Sequence, residues 1–517
     1  MSQTTTAPAG NIFDRLTDAL IDPRRARRSL LLLMIGYAVV WTAYAIVSRS
    51  AQDTVSDMAE MLIWTQHLEW GYPKHPPLPA YILRLWFSVF PVADWAYLLL
   101  AILTVTVGLY LAYELAGEWL AGENRVAAVL MLSLVPFYNF QGMKFDQNSL
   151  LIPLWTLAMW GLVRSLKTNS VGWAILCGAA AAAACLVKYW SAFLLLAMGL
   201  AVLCDENRWR YLRSPAPWAA VAVFIVLFAP HAVWLVQNDF PPLRWAGGKR
   251  RTPVSVGHWL YEAGDYVFGT LAYAIGALAL LAACAKPSLA ALRDVCFPPL
   301  RDNARRRAAI LFYVPILAPI PVAAVTKTLL ISLWNAPGYT MLPVMLMSSR
   351  LVALTREGLR AMVMVAVIFP LLVLAAAPVV AWGKLTYGTE NEGLYARLAA
   401  DAGLRAWRET TREPLRIMAG PFGLISTAAM YVPDRPTTFA DFSPYLSPQV
   451  TPERIAREGA VLMSPSSDRY FMRQLDRHSA GHPNVRKFEV TLVRRWLGFE
   501  SAPRKFTIAI LPPAERP

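Results

Sequence analysis

SLLLLMIGYAVVWTAYAIVS, residues 29–48, is a run of twenty residues without a charge. At 1.5 Å per residue a helix of that length reaches about 30 Å, the thickness of a bilayer's hydrocarbon core. The polar residues 1–28 before it end in DPRRARR, and no small-residue cleavage site follows, so the run reads as a retained span rather than a removable signal. The rest of the chain repeats the pattern. Of 517 residues, 56% are hydrophobic and 16% charged, with a mean hydropathy of +0.40. A soluble globular chain is about a quarter charged, so the composition indicates a polytopic membrane protein.

Eleven apolar segments can be drawn, at 29–48, 95–116, 126–138, 148–165, 171–187, 190–203, 216–237, 266–285, 308–326, 331–348 and 361–381. The expected fold is therefore mainly α, a helical membrane bundle of about 11 spans with 11–13 allowed. With the N-terminal tail (1–28) placed inside, the inside segments carry 20 Lys and Arg, and the outside segments before residue 382 carry 10. That bias places the N-terminus in the cytoplasm. It leaves a long first loop (49–94) and the chain after residue 383 on the outer side. Within that loop, 57–69 and 79–90 look helical but are too short to span, and are expected to lie along the membrane interface. Residues 384–517 mix helix-like runs (392–408, 451–458) with strand-like ones (LRIMAG, GAVLMS, FEVTLVRRW, KFTIAIL), the pattern of a small soluble α/β domain.

The net charge of +15 does not indicate nucleic acid, because no basic helix or aromatic-basic module accompanies it and inside loops hold much of the excess. The five cysteines lack C-x-x-C spacing and none follows residue 296, so neither a redox pair nor a disulfide framework is implied. One outside loop breaks the charge rule: LRWAGGKRR gathers Arg244, Lys249, Arg250 and Arg251, which suits an anionic ligand or lipid head groups.

Chemistry concentrates in the first loop, DMAEMLIWTQHLEWGYPKHPPL, residues 57–78. Asp57 and Glu60 are three apart and share one helix face. A carboxylate at a membrane boundary can accept a proton from a hydroxyl or hold a cation. Trp64, Trp70 and Tyr72 supply surfaces that anchor at an interface or stack on a sugar. Lys74 and His75 precede two rigid prolines. An acid, aromatics and a cation in one outside loop suggest a sugar donor carried on a lipid phosphate.

The spacing D-x-A-E-x-x-x-W-x-x-x-L-x-x-G-Y-x-x-H-P-P-L resembles the first-loop signature of bacterial GT-C-type membrane glycosyltransferases. That group includes protein O-mannosyltransferases, the lipid A aminoarabinose transferase, and the lipid A and core galacturonosyl transferases. The likeness recurs in order at KFDQNSLLIPLWTLAMW (144–160), CLVKYWSAFLL (185–195) and KTLLISLWNAPGYTMLP (327–343). It implies a membrane catalytic domain at 29–383 and inverting transfer of a sugar from a polyprenyl-phosphate carrier to a lipid or glycan acceptor. It also implies a multi-pass protein of the bacterial inner membrane whose C-terminal domain is periplasmic. Asp57 matches the catalytic base or acceptor-orienting acid. Relatives often carry Asp-Glu there, whereas this chain has Asp57-Met58, so any part played by that Glu is missing or passes to Glu60. Tyr72, Lys74 and His75 are assigned to the donor, with Lys74 suited to the leaving phosphate. Asp146 matches the second-loop acid, and Lys188-Tyr189 the step at the end of a later span. Lys327 and Trp334 belong to the Lys…Trp-x-x-Pro-x-Tyr segment, and Arg250 is the cationic-loop candidate. Asp57, His75, Asp146 and Lys188 are expected to line one outward-opening cavity. Asp57, Glu60 and Asp146 could hold a divalent metal ion, although no ligand set is complete in sequence. The competing readings are a protein O-glycosyltransferase, a lipid-glycan transporter or flippase, and a non-catalytic assembly protein. The gathering of charge in outside loops rather than at the bilayer midplane favours an interfacial enzyme.

Overall fold

The computed structural model describes residues 11–248, 255–299, 301–326, 328–388, 394–482 and 484–514. The helices run α1 (Ile12–Ile21), α2 (Ala26–Arg49), α3 (Ser56–Trp64), α4 (Leu78–Val89), α5 (Asp94–Ala116), α6 (Gly122–Leu132), α7 (Gln147–Thr168) and α8 (Val171–Cys185). Then come α9 (Ala192–Leu203), α10 (Arg208–Leu212), α11 (Ala216–Gln237), α12 (Pro241–Gly248), α13 (Val256–Ala285) and α14 (Leu289–Cys296). After these follow α15 (Asn303–Leu317), α16 (Pro319–Thr326), α17 (Leu342–Met347) and α18 (Arg356–Tyr387). The C-terminal part adds α19 (Ala396–Thr410), α20 (Phe422–Tyr431), α21 (Pro452–Glu458) and α22 (Arg469–Ser479).

All eleven expected apolar segments fall on helical elements. Among the described residues seven are long and apolar enough to cross a membrane: α2, α5, α7, α11, α13, α15 with α16, and α18. Residues 122–143 form an eighth candidate, bent by 79° at the break between Leu132 and Pro136. The segments at 171–187 and 190–203 form shorter helices that break apart at Lys188. The segment at 331–348 is not a straight α-helix. It is a 3₁₀ stretch over Ser332–Met341 followed by α17, with Pro337 and Pro343 each lacking the N–H that an α-helical ladder needs.

The chain divides into two compact units, one of residues 1–42, 74–78 and 99–373, the other of residues 43–73, 79–98 and 374–517. In the first unit, α8 packs on both α7 and α11. Small residues make that approach close: a Cβ on Gly178 would lie 2.2 Å from the Ala220 carbonyl oxygen, and one on Gly161 would lie 2.9 Å from the Cys177 nitrogen. With lipid tails as apolar as leucine, such close backbone packing is a main source of helix association. Many arginines that the charge count places inside are paired. Arg27 and Arg125 meet Glu114, Arg164 and Lys167 meet Glu118, and buried Arg307 meets Asp205 at 2.7 Å.

The second unit is built on a five-stranded sheet in the order β2 (Thr437–Ala440), β1 (Ile417–Gly420), β3 (Ala460–Pro465), β7 (Arg504–Leu511), β4 (Arg486–Leu492). The β1 strand is parallel to β2 and β3, and β7 is antiparallel to β3 and β4. A two-stranded ribbon of β5 (Arg495–Trp496) and β6 (Phe499–Glu500) completes it. The strand-like runs of the sequence become β1, β3, β4 with β5, and β7. Side chains alternate across the sheet, as a period of two demands. Met418, Val461, Met463, Phe506, Ile508 and Ile510 face α19 and α20, while Ile417, Ala460, Leu462 and Leu511 face α21 and α22.

Candidate active site

In the first unit the second-loop acid is held by local geometry. Two 3₁₀ turns (Pro136–Tyr138 and Gln141–Met143) lead to Asp146, which caps α7. Its carboxylate accepts from the Ser149 N–H at 2.9 Å, and Ser149 Oγ accepts from the Asp146 N–H at 3.0 Å. This reciprocal box satisfies two amide groups that the start of a helix leaves open. Asp146 is buried, with Lys144 Nζ 3.8 Å from its Oδ2. Asn148 Nδ2 lies 3.4 Å from the same oxygen, and Asn148 Oδ1 accepts from Lys188 Nζ at 2.8 Å.

Lys188 sits where the chain leaves α8, in an extended conformation that turns it off the helix axis. Its ammonium lies 4.2 Å from the centre of the Trp334 ring, and Trp334 packs edge-on against Trp190 at 5.1 Å. A cation over an indole face gains about 0.5–2 kcal/mol, depending on desolvation. The next residue, Tyr189, shares a 2.8 Å hydrogen bond with Nε2 of His231, which is fully buried in α11. His231 thus serves as the packing partner that an intramembrane histidine most often is.

The Lys74–Leu78 segment joins the same break, because the Leu78 N–H donates to the Leu186 carbonyl at 3.0 Å. Pro76 and Pro77 are buried. Lys74 Nζ is 5.8 Å and the His75 ring 6.1 Å from the Trp245 ring centre. The first unit therefore gathers Lys74, His75, Asp146, Lys188, Tyr189 and Trp334. Asn148 and Lys144 join the set without having been anticipated. Their signal in the sequence is their position two residues either side of Asp146, in KFDQN. Arg250 and Lys327 lie outside the described residues.

The second unit holds Asp57, Glu60 and Tyr72. Helix α3 buries Met58, Ala59, Met61 and Leu62 and packs on α20, with Ile63 against the core beneath α19 and α20. The apolar face of α3 is thus covered by protein, where the sequence suggested a helix lying on the membrane interface. Asp57 is exposed, and Glu60, one turn on, is half-buried. A carboxylate in the first turn of a helix also meets the positive end of its dipole. Tyr72 is buried and stacks on Trp64 at 4.9 Å. Its hydroxyl donates to the Trp64 carbonyl at 3.0 Å, and burial raises its pKa above the ordinary tyrosine value. Tyr72 therefore braces the loop.

A buried ionic network anchors the start of α3. Asp53 pairs with Arg494 and accepts from the Arg397 N–H at 2.9 Å. Burial pushes the Asp53 carboxyl up, against the pull of Arg494. The Thr54 N–H donates to the Tyr431 hydroxyl at 2.8 Å, and Tyr431 in turn reaches Asp94 at 2.8 Å. Loop residues 53 and 54 are in this way fastened to residues 397, 431 and 494 of the C-terminal part. Among the described residues no group of three or more His, Cys, Asp and Glu side chains comes together as a metal site.

The family described as dolichyl-phosphate-mannose-protein mannosyltransferase matches residues 74–234, which span the Lys74–Leu78 segment, Asp146, Lys188 and His231. The lipopolysaccharide core galacturonosyltransferase RgtA of Rhizobium johnstonii is 26% identical over 432 residues, 80% of this chain and 82% of that protein. The lipid A galacturonosyltransferase RgtD of the same organism is 25% identical over 222 residues, 42% of this chain and 45% of that protein. The crystal structure of ArnT from Cupriavidus metallidurans bound to undecaprenyl phosphate superposes with a TM-score of 0.56 at 16% identity, covering 93% of this chain and 97% of that one. Its apo form gives 0.53 at 17% identity. Family match, relatives and fold converge: the chain is a multi-pass membrane glycosyltransferase of the GT-C type.

Proposed function

We propose that the enzyme transfers a sugar with inversion from a polyprenyl-phosphate carrier to lipid A or the lipopolysaccharide core, at the periplasmic face of the inner membrane. The observation that carries this reading is the Asp146–Asn148–Lys188–Trp334 assembly, with Lys74 and His75 tied to the same chain break. It combines cations suited to a phosphate, a hydrogen-bonding amide and an indole face on which a sugar ring can stack. The two galacturonosyl relatives make a uronic acid the favoured sugar.

In the reaction an acceptor hydroxyl attacks the anomeric carbon from the face opposite the carrier. The new C–O bond forms as the C–O bond to the phosphate breaks, and polyprenyl phosphate leaves with the bonding pair. Asp57 takes the hydroxyl proton as general base, with Glu60 beside it on α3. Lys188 and Lys74 stabilise the negative charge that collects on the leaving phosphate, the electrostatic task that such sites favour most. The charge bias of the loops supports a cytoplasmic N-terminus and a periplasmic C-terminal domain.

The test is mass spectrometry of lipid A and core oligosaccharide from cells with and without the gene, joined to turnover of a polyprenyl-phosphate uronic acid by purified enzyme. Loss of a hexuronate from the glycolipid together with gradient-independent turnover is the expected result. Unchanged glycolipids alongside an altered envelope glycoprotein would favour a protein acceptor, the reading that the matching family's description supports.

A further inference from the structure

A groove of about 510 Å³ in the first unit runs between α1, α2, α6 and α18, and none of the residues assigned to catalysis lines it. Its walls include Leu16, Leu33, Gly36, Val129, Val367 and Leu371. Along α2 the lining extends from Ser29 to Val40. Eleven helical steps cover about 16 Å, close to the depth of one leaflet of a hydrocarbon core of about 30 Å. The neighbouring Leu31, Leu32 and Ile35 are exposed, as lipid-facing residues are.

Gly36 keeps the groove open. A Cβ built there would meet nothing within 4 Å. Glycine inside a helix costs about 1 kcal/mol of propensity, and no packed neighbour at this position requires it.

The polar end of the groove carries a charge pattern. Asp14 and Asp18 of α1 are engaged by Arg360 and Arg356, Arg25 lies 3.6 Å from Asp22, and Arg27 meets Glu114. Arg24 and Arg28 are exposed beside Ser29, with no carboxylate within ion-pairing distance among the described residues. Arg28 adjoins Ser29, the α2 residue at one end of this leaflet-deep apolar slot, and Arg24 lies in the turn that joins α1 to α2. We propose that this groove is a binding site for one anionic phospholipid, its acyl chain beside Gly36 and its headgroup phosphate on Arg24 and Arg28. A polyprenyl chain long enough to cross the bilayer would overrun a slot one leaflet deep, and a zwitterionic lipid brings its own cation and so no net charge to offset the two arginines.

The test uses full-length protein purified in mild detergent, with retained lipid read by native mass spectrometry and lipid extraction. Wild type is expected to hold a phospholipid, with anionic species enriched by roughly thirtyfold over zwitterionic ones, given two arginines near the surface. Gly36→Leu should fill the slot and abolish retention, while improving helix propensity. Arg24→Gln combined with Arg28→Gln should keep an acyl-chain ligand but bring its headgroup composition to that of the bulk membrane. Any of four results would overturn the proposal: wild type without lipid, retained lipid at bulk headgroup composition, a retained polyprenyl phosphate, or retention undiminished in Gly36→Leu. Monodispersity of each variant checks folding, and the double arginine variant leaves the groove walls untouched should Gly36→Leu be unstable.

Discussion

Replacing Arg494 by Met leaves the Asp53 carboxylate in the interior without its counter-ion. The Asp53 side chain has no solvent exposure, and its carboxylate keeps a hydrogen bond from the Arg397 N–H at 2.9 Å. The carboxyl can escape its unpaired charge by taking a proton. From an unfolded-state pKa of about 3.9, doing so at about pH 7 costs ~4 kcal/mol, at 1.36 kcal/mol per unit. That figure bounds the loss and agrees with the 3–5 kcal/mol typical of breaking a buried pair. The sign follows from the direction of the shift. A folded-state pKa raised above the unfolded one means that the folded chain holds the proton more tightly. The variant's deficit should therefore shrink by about 1.4 kcal/mol for each unit the pH falls from 7 towards 4. Combining Asp53→Asn with Arg494→Met removes both charges and should restore all but about 1 kcal/mol. Hydrogen exchange in the full-length protein reads the result as the opening free energy of the β4 and β7 amides and of α3, corrected for intrinsic rates at each pH. A loss under about 1 kcal/mol, or one that does not change with pH, would refute the argument that Asp53 and Arg494 hold the loop and the sheet together.

Asp57→Asn keeps the shape of the proposed base but not its proton affinity. Turnover should fall by ~10²–10⁴-fold while donor binding persists, and near-normal turnover would move the base to Glu60 or Asp146. Lys188→Ala should raise KM for the polyprenyl-phosphate donor more than it lowers kcat, because the phosphate is present before and during transfer. A pure kcat effect in steady-state kinetics would contradict that assignment. Gly178→Val should force α8 and α11 apart, since its Cβ would lie 2.2 Å from a backbone oxygen. Thermal unfolding in detergent should register at least ~1–3 kcal/mol of overpacking. Asp294 is held below the usual carboxylate range by hydrogen bonds from Arg305 and Ser349. Its contribution to stability should be complete above about pH 4 and lost as the pH falls through the lowered value, a loss that Asp294→Asn would remove from the acid-unfolding profile.

Much of this protein can be read from one dimension. Spans declare themselves because each must supply some twenty apolar residues in a row, and the β-strands of the C-terminal part because apolar side chains alternate along them. The motif residues Asp57, Lys74, His75, Asp146 and Lys188 stand out for a related reason: charge near a membrane is costly and therefore sparse. Where the signal was weaker, the reading was thinner. The β2 strand, Thr437–Ala440, is four residues long and carries little alternation, and α20 is an apolar run whose burial has two causes that hydropathy cannot separate.

Pairing belongs to the tertiary structure alone. Nothing in DQN says that Asn148 will bridge Asp146 to a lysine 40 positions later, because that bond depends on α8 ending at Cys185 and Lys188 turning off its axis. Nor does the first loop announce its company. The Thr54 N–H finds Tyr431 across 377 residues and Asp53 finds Arg494 across 441, so α3 shares its core with α19 and α20. Local pattern records which residues prefer oil, water or a helix, since each preference acts through a residue's own environment. Partner choice over hundreds of residues is decided by the collective packing of the folded chain, which local pattern does not encode.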